Sequence, residues 1–409
     1  MIIIRNKRNI INGLILLFAI FPIIPNSLKG LPVILLFIAS IFFFDKRSIN
    51  WKELILNSSL FLIYLLSLIH TQDYSLSLRK LETSLSVLAI PLIFFVFLNT
   101  FHFSIKIKEI FIKTFIISSC VFSLYTVVFI NIIKPVKDYV WLTDKYRAII
   151  SEMPLLSQHP IYASIFLSLG LLFFFYLFKN QYFKGLPERV FFFTLTLINF
   201  IVLIVLSSKA VILTVFLILF FFFLVSIKNR FRGFLTIVTF IFIVIALFTY
   251  NRRMGELVDF ESYQKFDPKT STSIRMAIYS CSFEVIKRSP LLGYGIGGAQ
   301  RQLNLCYANK SDVLLFNSYN THNQYLDAAV KAGMLGLFVF SLFLFTILIN
   351  AIRNKDQLLT FIIVFYSILF FTENILSRQS GVILFFFLIC FFNKLRVNSK
   401  RNDSKFKNI

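Results

Sequence analysis

Residues 190–226 read VFFFTLTLINFIVLIVL-SSK-AVILTVFLILFFFFLVS, two apolar runs separated by Ser207, Ser208 and Lys209. Lys209 is the only charged residue in this stretch. Each run is close to the ~20 residues that a helix needs to cross the hydrocarbon core of a bilayer. The pair therefore predicts two consecutive transmembrane helices joined by a very short turn.

The composition extends this interpretation to the whole chain. Of 409 residues, 57% are hydrophobic, 18% are aromatic and only 15% are charged. This predicts an all-α polytopic membrane protein rather than a soluble domain. We expect about twelve transmembrane helices, at 10–25, 30–44, 54–70, 84–98, 110–130, 160–178, 190–206, 210–226, 233–249, 333–350, 357–372 and 380–393.

The net charge of +23 is interpreted as a topological signal, because no DNA- or RNA-binding motif accompanies it. Lysine and arginine accumulate in the loops that stay in the cytoplasm. With the N-terminus inside, the basic residues fall mainly in the cytoplasmic loops, so both termini are predicted to be cytoplasmic. The first apolar span follows basic residues, as a signal peptide would. It contains Pro22 and Pro25 and lacks a small-residue cleavage site, so we expect a retained helix.

Four regions follow from this topology. Residues 1–249 hold spans one to nine, with an outer loop at 131–159. Residues 250–322 form a large periplasmic loop with short helices, between spans nine and ten. Residues 323–394 hold spans ten to twelve. Residues 395–409 form a basic cytoplasmic tail, and we expect its end from Asn398 to Ile409 to be disordered near anionic lipid.

Two of the four cysteines, Cys281 and Cys306, lie in the large periplasmic loop. That compartment is oxidising, so one interpretation is a disulfide between them. The other is two unpaired thiols, because the spacing alone fixes no geometry.

The large loop ends in a polar run, Asn320-Thr321-His322-Asn323-Gln324-Tyr325. Asn320 or Thr321 can cap a helix there, which places His322 in the first turn. The helix dipole disfavours the imidazolium form at that position, which leaves a neutral imidazole able to accept a proton. Gly333 lies eleven residues on, about three turns, and so on the same face. The alternative is an interfacial histidine bonded to a carbonyl.

Basic residues around this loop are candidates for anion contacts. Arg275 lies in the first turn of an apparent helix at 274–288, which ends at Arg288. Lys209 is either a phosphate contact or a lysine that snorkels from a helix end. Glu373 and Arg378 flank the last outer turn and could line the same cavity.

Two further features are open to two interpretations each. A glycine-rich segment after Pro290 contains Gly293, Gly295 and Gly297, and its backbone N–H groups could approach a ligand as phosphate-binding loops do. The alternative is a flexible turn. His159 opens the sixth span and is either a substrate contact or an ordinary helix-start histidine.

Some motifs are missing from the outer loops. They contain no DxD motif, and no cluster of histidines and cysteines suggests zinc. A site that uses basic residues in place of a divalent cation suits a pyrophosphate leaving group, because guanidinium groups bind phosphate oxygens in pairs.

With these motifs in this order, the chain resembles the O-antigen ligase and O-antigen polymerase family of membrane glycosyltransferases. The resemblance covers about 200 to 340. It depends on Ser207-Ser208-Lys209-Ala210 at the start of a span, on Arg275 followed by Pro290 to Gly298, and on His322-Asn323-Gln324-Tyr325-Leu326 with Gly333 eleven residues beyond the histidine.

The resemblance implies a GT-C-like enzyme of the bacterial inner membrane, independent of metals and without a cofactor. It would move a glycan from undecaprenyl pyrophosphate to an acceptor hydroxyl at the periplasmic face. His322 would be the general base, and Arg275 would bind the donor pyrophosphate. Lys209 stands where the family has an arginine and lacks the bidentate fork, so Arg288 or Arg378 could compensate. Gly293, Gly295, Gly297, Asn323 and Gly333 would support the site.

The sequence does not separate the acceptors. O-antigen ligation to lipid A–core is the leading hypothesis, and polymerisation of lipid-linked repeat units and transfer to protein hydroxyls are the alternatives. A non-enzymatic carrier or flippase for lipid-linked sugars would need polar positions spread through the spans, whereas here the polar groups concentrate on one side. No nucleic-acid partner is expected.

Overall fold

The computed structural model describes the backbone of residues 2–71, 73–134, 141–226, 237–242, 245, 249, 252–257, 263, 266–268 and 270–406. Helices dominate these residues, and no β-strand occurs among them. The prediction of an all-α membrane protein is confirmed to that extent.

We number the described α-helices in chain order. They are α1 (Ile2–Ala19), α2 (Leu31–Ile41), α3 (Trp51–Leu66), α4 (Tyr74–Ser84), α5 (Ser86–Leu92), α6 (Ile105–Val128), α7 (Leu142–Ile149), α8 (Pro160–Lys179), α9 (Leu186–Leu206), α10 (Lys209–Ser226), α11 (Arg252–Gly255), α12 (Ser271–Arg288), α13 (Gly295–Ala308), α14 (Asp312–Asn317), α15 (Gln324–Arg353), α16 (Gln357–Leu369) and α17 (Gln379–Phe406). Single π-helical turns extend α5 and α6, at Ile93–Phe97 and Phe129–Ile133.

Eleven of the twelve predicted spans coincide with an apolar helix. Among the described residues, six helices are long and apolar enough to cross a membrane, and five are shorter. The predicted ninth span, 233–249, lies largely outside the described residues. The count of twelve and the orientation of the chain therefore stay predictions.

The bundle is built around two helices that are apolar on all sides. Residues 382–392 of α17 are fully or almost fully buried. In the most apolar 18-residue stretch of α8, 89% of the residues are buried. Phenylalanines make much of this core, as in the stacked rings of Phe18 and Phe387, whose centroids are 3.8 Å apart. A helix without a polar face is stable only inside a bundle or in lipid, which accounts for both positions.

The last helix differs from the prediction at its end. The segment from Asn398 to Ile409 was expected to be disordered, but α17 continues as helix to Phe406. In the described part of residues 250–322 the structure has the helices α11 to α14.

Candidate active site

Lys209 is positioned by the tight turn between α9 and α10. Ser207 ends α9 with a left-handed backbone (φ 46°), and Lys209 begins α10 directly afterwards. The hydroxyl of Ser164 donates to Ser208 Oγ at 2.8 Å and fixes this turn against α8. Lys209 Nζ lies 2.6 Å from Glu256 Oε2 and 3.2 Å from Ser271 Oγ. The lysine is 6% exposed, so its ammonium points into the protein rather than snorkelling to its surface.

Arg275 and Tyr279 project from one face of α12, one turn apart. Arg275 Nη2 forms an ion pair with Glu373 Oε1. The hydroxyl of Tyr279 lies 3.2 Å from the carbonyl oxygens of both His322 and Phe371. The helix therefore presents a cation to the site and also holds the backbone of the histidine.

His322 lies outside the helix that was expected to contain it. Asn323 is the N-cap of α15, and its Oδ1 accepts from the N–H groups of Tyr325 and Leu326 at 2.9 and 3.0 Å. His322 has a left-handed backbone (φ 43°), and its N–H donates to Asn320 Oδ1 at 3.0 Å. The prediction that His322 lies in the first turn of a helix is therefore wrong.

Glu373 joins the histidine to the arginine. It lies in the turn between α16 and α17 and is 7% exposed. One carboxylate oxygen pairs with Arg275, and the other lies 3.3 Å from His322 Nδ1. Burial raises the pKa of Glu373, but the charge of Arg275 and the hydrogen bond from His322 outweigh it and hold that pKa below its usual value. The carboxylate is ionised, and it can accept a hydrogen bond from a protonated Nδ1.

These side chains line one cavity of about 210 Å³, which we call the His322 cavity. Its lining side chains are mostly polar or charged and include Arg147, His159, Ser207, Ser208, Lys209, Ser271, Arg275, Tyr319, His322 and Glu373. Three of the predicted site residues, Lys209, Arg275 and His322, thus lie together although 113 positions separate the first from the last.

Two residues of the segment 141–159 complete the wall. Arg147 of α7 donates to the carbonyl oxygen of Leu206 at 2.9 Å, at the turn before Lys209. His159 is the N-cap of α8, and its Nδ1 accepts from the N–H of Ile161 at 3.4 Å. Burial, together with the positive charge of Arg378, lowers the pKa of His159 to about 4, so the ring is neutral at pH 7.

Other predicted residues lie elsewhere. Arg288 is exposed at the far end of α12, thirteen residues and therefore ~20 Å along the helix from Arg275. Asn323 contributes through its cap and through its Nδ2, which donates to the carbonyl of Phe371 at 3.0 Å.

The glycines have a packing role in this structure. Gly333 interrupts α15 with φ 66°, and a Cβ there would collide with the carbonyl of Leu291. Gly293 (φ 65°) packs against the same kink, where Tyr294 N–H donates to the carbonyl of Val330 at 3.0 Å. Gly295 and Gly297 begin α13 and pack on the segment around α4. None of these glycines lines the His322 cavity.

A disulfide joins the helices that follow each other in this region. Cys281 of α12 and Cys306 of α13 are bonded, with Cα atoms 5.7 Å apart. This decides between the two interpretations left open by the sequence. The bond fixes α13 against the helix that carries Arg275.

Glu256 and Arg147 are the site residues that sequence analysis missed. Both lie in segments expected to be outer loops, and their partners are 47 and 59 residues away. Glu373 was considered only as a lining residue. The one available signal was charge, because an acid or arginine next to apolar spans is costly unless it is paired.

Comparison with known proteins identifies this part of the chain. The model of the O-antigen ligase family matches residues 192–341, which include Lys209, Arg275 and His322. A protein from Haemophilus influenzae, described as uncharacterized, is 26% identical over 154 residues. The matched region covers 35% of this chain and 38% of that relative. Over residues 192–341, this chain is similar to the O-antigen ligase family.

Proposed function

We propose that the protein is a membrane glycosyltransferase that moves a glycan from undecaprenyl pyrophosphate to an acceptor hydroxyl at the periplasmic face, with O-antigen ligation to lipid A–core as its reaction. The observation that carries this proposal is the His322 cavity. It combines a histidine held by a buried carboxylate with two cations, Arg275 and Lys209, suited to a pyrophosphate.

In this proposal His322 is the general base. The N–H group at Nδ1 donates a hydrogen bond to Glu373, which leaves the lone pair of Nε2 for the acceptor. Nε2 takes the proton of the acceptor hydroxyl as its oxygen attacks the anomeric carbon of the donor glycan. Glu373 then lies beside the imidazolium that forms and stabilises its charge, as a carboxylate does in other acid–base pairs.

Arg275 and Lys209 act on the leaving group. The bond between the anomeric carbon and the pyrophosphate oxygen breaks as the new glycosidic bond forms, and undecaprenyl pyrophosphate departs with one additional negative charge. Cations already placed in the cavity stabilise that charge without rearranging in the transition state. Arg275 can offer two parallel N–H groups, whereas Lys209 offers a point charge. No divalent cation is needed in this scheme.

The test is transfer by the purified protein in lipid nanodiscs, supplied with an undecaprenyl-pyrophosphate-linked glycan and lipid A–core. Wild type should give glycosylated lipid A–core, and His322→Ala should abolish the product while the protein still inserts and accumulates. His102→Ala is the matched control, because this histidine lies outside the His322 cavity. Normal transfer by His322→Ala would refute the base assignment.

The acceptor is tested in the same assay and in cells. A product that grows on the lipid-linked donor without lipid A–core would indicate a polymerase. In a deletion strain, loss of ligation leaves polymer on undecaprenyl pyrophosphate, whereas loss of polymerisation leaves core with at most one repeat unit.

A further inference from the structure

A second polar cavity lies beside the first. It has a volume of about 320 Å³ between α4, α13 and α15, and we call it the Lys80 cavity. Its charged lining residues are Lys80, Asp327, Lys331 and Arg378, and its uncharged polar ones include Thr83, Ser84, Gln300, Ser318, Asn320, Thr321 and Ser377.

The Lys80 cavity is lined by more positive than negative side chains. Lys331 Nζ lies 2.5 Å from Asp327 Oδ2, so these two neutralise each other. Lys80 and Arg378 have no carboxylate within 4 Å in the described part of the chain. Two positive charges are therefore left for an incoming anion.

A small cavity of about 50 Å³, which we call the connecting cavity, shares lining residues with both larger ones. It shares Asn320, Ser377 and Arg378 with the Lys80 cavity, and it shares His159, His322 and Glu373 with the His322 cavity. His322 therefore lines both the His322 cavity and the connecting cavity.

Asn374 supplies an independent sign of a ligand in the connecting cavity. This residue is 5% exposed and lines the cavity, and its buried Nδ2 has no acceptor in the described structure. Its Oδ1 lies 3.0 Å from the hydroxyl oxygen of Thr321, which also lies 2.9 Å from the carbonyl oxygen of Asn323. A buried donor without an acceptor is costly, and an oxygen of a bound sugar would satisfy it.

We propose that the Lys80 cavity binds an anionic substituent, phosphate or carboxylate, on the acceptor glycan, whose hydroxyl reaches His322 through the connecting cavity. This inference rests on the proposed transferase function. Lys209 and Arg275 hold the donor pyrophosphate on one side of His322, and Lys80 and Arg378 hold the acceptor on the other. The acceptor oxygen would then approach the anomeric carbon from the side opposite the leaving pyrophosphate, as an in-line displacement requires.

The test compares acceptor and donor kinetics in nanodiscs. Lys80→Gln and Arg378→Gln should each raise KM for native lipid A–core at least 10-fold and leave KM for the donor within twofold. Lys287→Gln is the matched control, because Lys287 is exposed on α12 and lines neither cavity. Unchanged KM for lipid A–core in both cavity variants would overturn the proposal.

Chemically modified acceptors identify the anion. If it is a phosphate, enzymatic dephosphorylation of lipid A–core should raise KM for wild type and abolish the difference from Lys80→Gln. If it is a carboxylate, only a carboxyl-reduced acceptor should do so. A difference that persists with both modified acceptors would contradict the proposal.

A binding measurement separates this proposal from the transferase function. Labelled lipid A–core in detergent should bind wild type and Lys209→Gln alike and bind Lys80→Gln at least 10-fold more weakly. Binding with this pattern but no transfer by wild type would refute the reaction and retain the site. Transfer by wild type with equal binding by all variants would retain the reaction and refute the site. Thermal unfolding of each variant checks that it is folded.

Discussion

Oε2 of Glu373 lies 3.3 Å from Nδ1 of His322. The same carboxylate pairs through its other oxygen with Arg275, and it is almost completely buried. One acid therefore connects the proposed base with the proposed pyrophosphate ligand. This arrangement allows the contribution of each partner to be separated by substitution.

Glu373→Gln should lower kcat about 10²-fold or more, because the general base loses the partner that fixes its tautomer. KM for the donor should be unchanged or lower, since Arg275 loses a competing carboxylate. Arg275→Gln should instead raise donor KM. Steady-state kinetics of each variant separate the effect on kcat from the effect on donor KM. If Glu373→Gln lost activity only in proportion to the loss of folded protein, the role of Glu373 would be purely structural.

Lys209→Arg should be tolerated or should improve use of the donor, because arginine keeps the charge and adds the bidentate fork. Lys209→Ala should raise donor KM about 10-fold or more, the effect of losing a hydrogen bond to a charged group. Donor titrations with a fixed acceptor concentration measure both. An inactive but folded Lys209→Arg would show that the buried pocket formed with Glu256 accepts only lysine.

The stability of the protein should fall between about pH 6.5 and pH 4, in part through His159. The pKa of this ring is about 4 in the folded protein against 6.5 ordinarily, because burial and Arg378 disfavour its charged form. Over this window the unfolded chain binds more protons, so the free energy of unfolding decreases as pH falls. His159→Asn keeps an N-cap acceptor and removes the titration. Thermal unfolding should show a smaller decrease for His159→Asn, and identical pH profiles would contradict the assignment.

The disulfide offers a test of topology in cells. Thiols in the cytoplasm are kept reduced, whereas the periplasm allows disulfides to persist. After denaturation, a maleimide reagent should label two cysteines, Cys120 and Cys390, and should label all four only after reduction. Four labelled thiols without reductant would place Cys281 and Cys306 on the cytoplasmic side.

Cys281→Ser with Cys306→Ser should cost about 2–4 kcal/mol of stability where the segment unfolds independently.

The sequence predicted the elements whose signal is local. Apolar runs identified eleven helices, because length and composition alone decide whether a segment is buried in a bundle or in lipid. Lys209, Arg275 and His322 were grouped through motifs of the family. The structure adds the reason that they meet. The start of α12 contacts Lys209 at the turn before α10, and Tyr279 of α12 contacts the turn after α16.

The conformation at His322 was not predictable from its neighbours. Asn320, Thr321 and Asn323 are all good caps, and a local pattern cannot rank them. In the structure the Thr321 hydroxyl is held by Asn374, 53 residues away, which leaves Asn323 to cap α15. The left-handed backbone of His322 costs ~1–3 kcal/mol, which the surrounding hydrogen bonds must offset. Contacts over such separations, like those of Glu256 and Arg147, leave no periodic signal in a single sequence.

The pairing of Lys209 with Glu256 also bears on how fast the enzyme could turn over. A phosphate that bonds to this ammonium has to share it with, or displace, a carboxylate 2.6 Å away. Glu256 thereby competes with the phosphate for Lys209. This competition weakens binding of the donor before the reaction and of undecaprenyl pyrophosphate after it. Where product release limits the rate, a weaker hold on the carrier shortens each cycle. An enzyme with Glu256→Gln would bind both lipids more tightly and release the second more slowly.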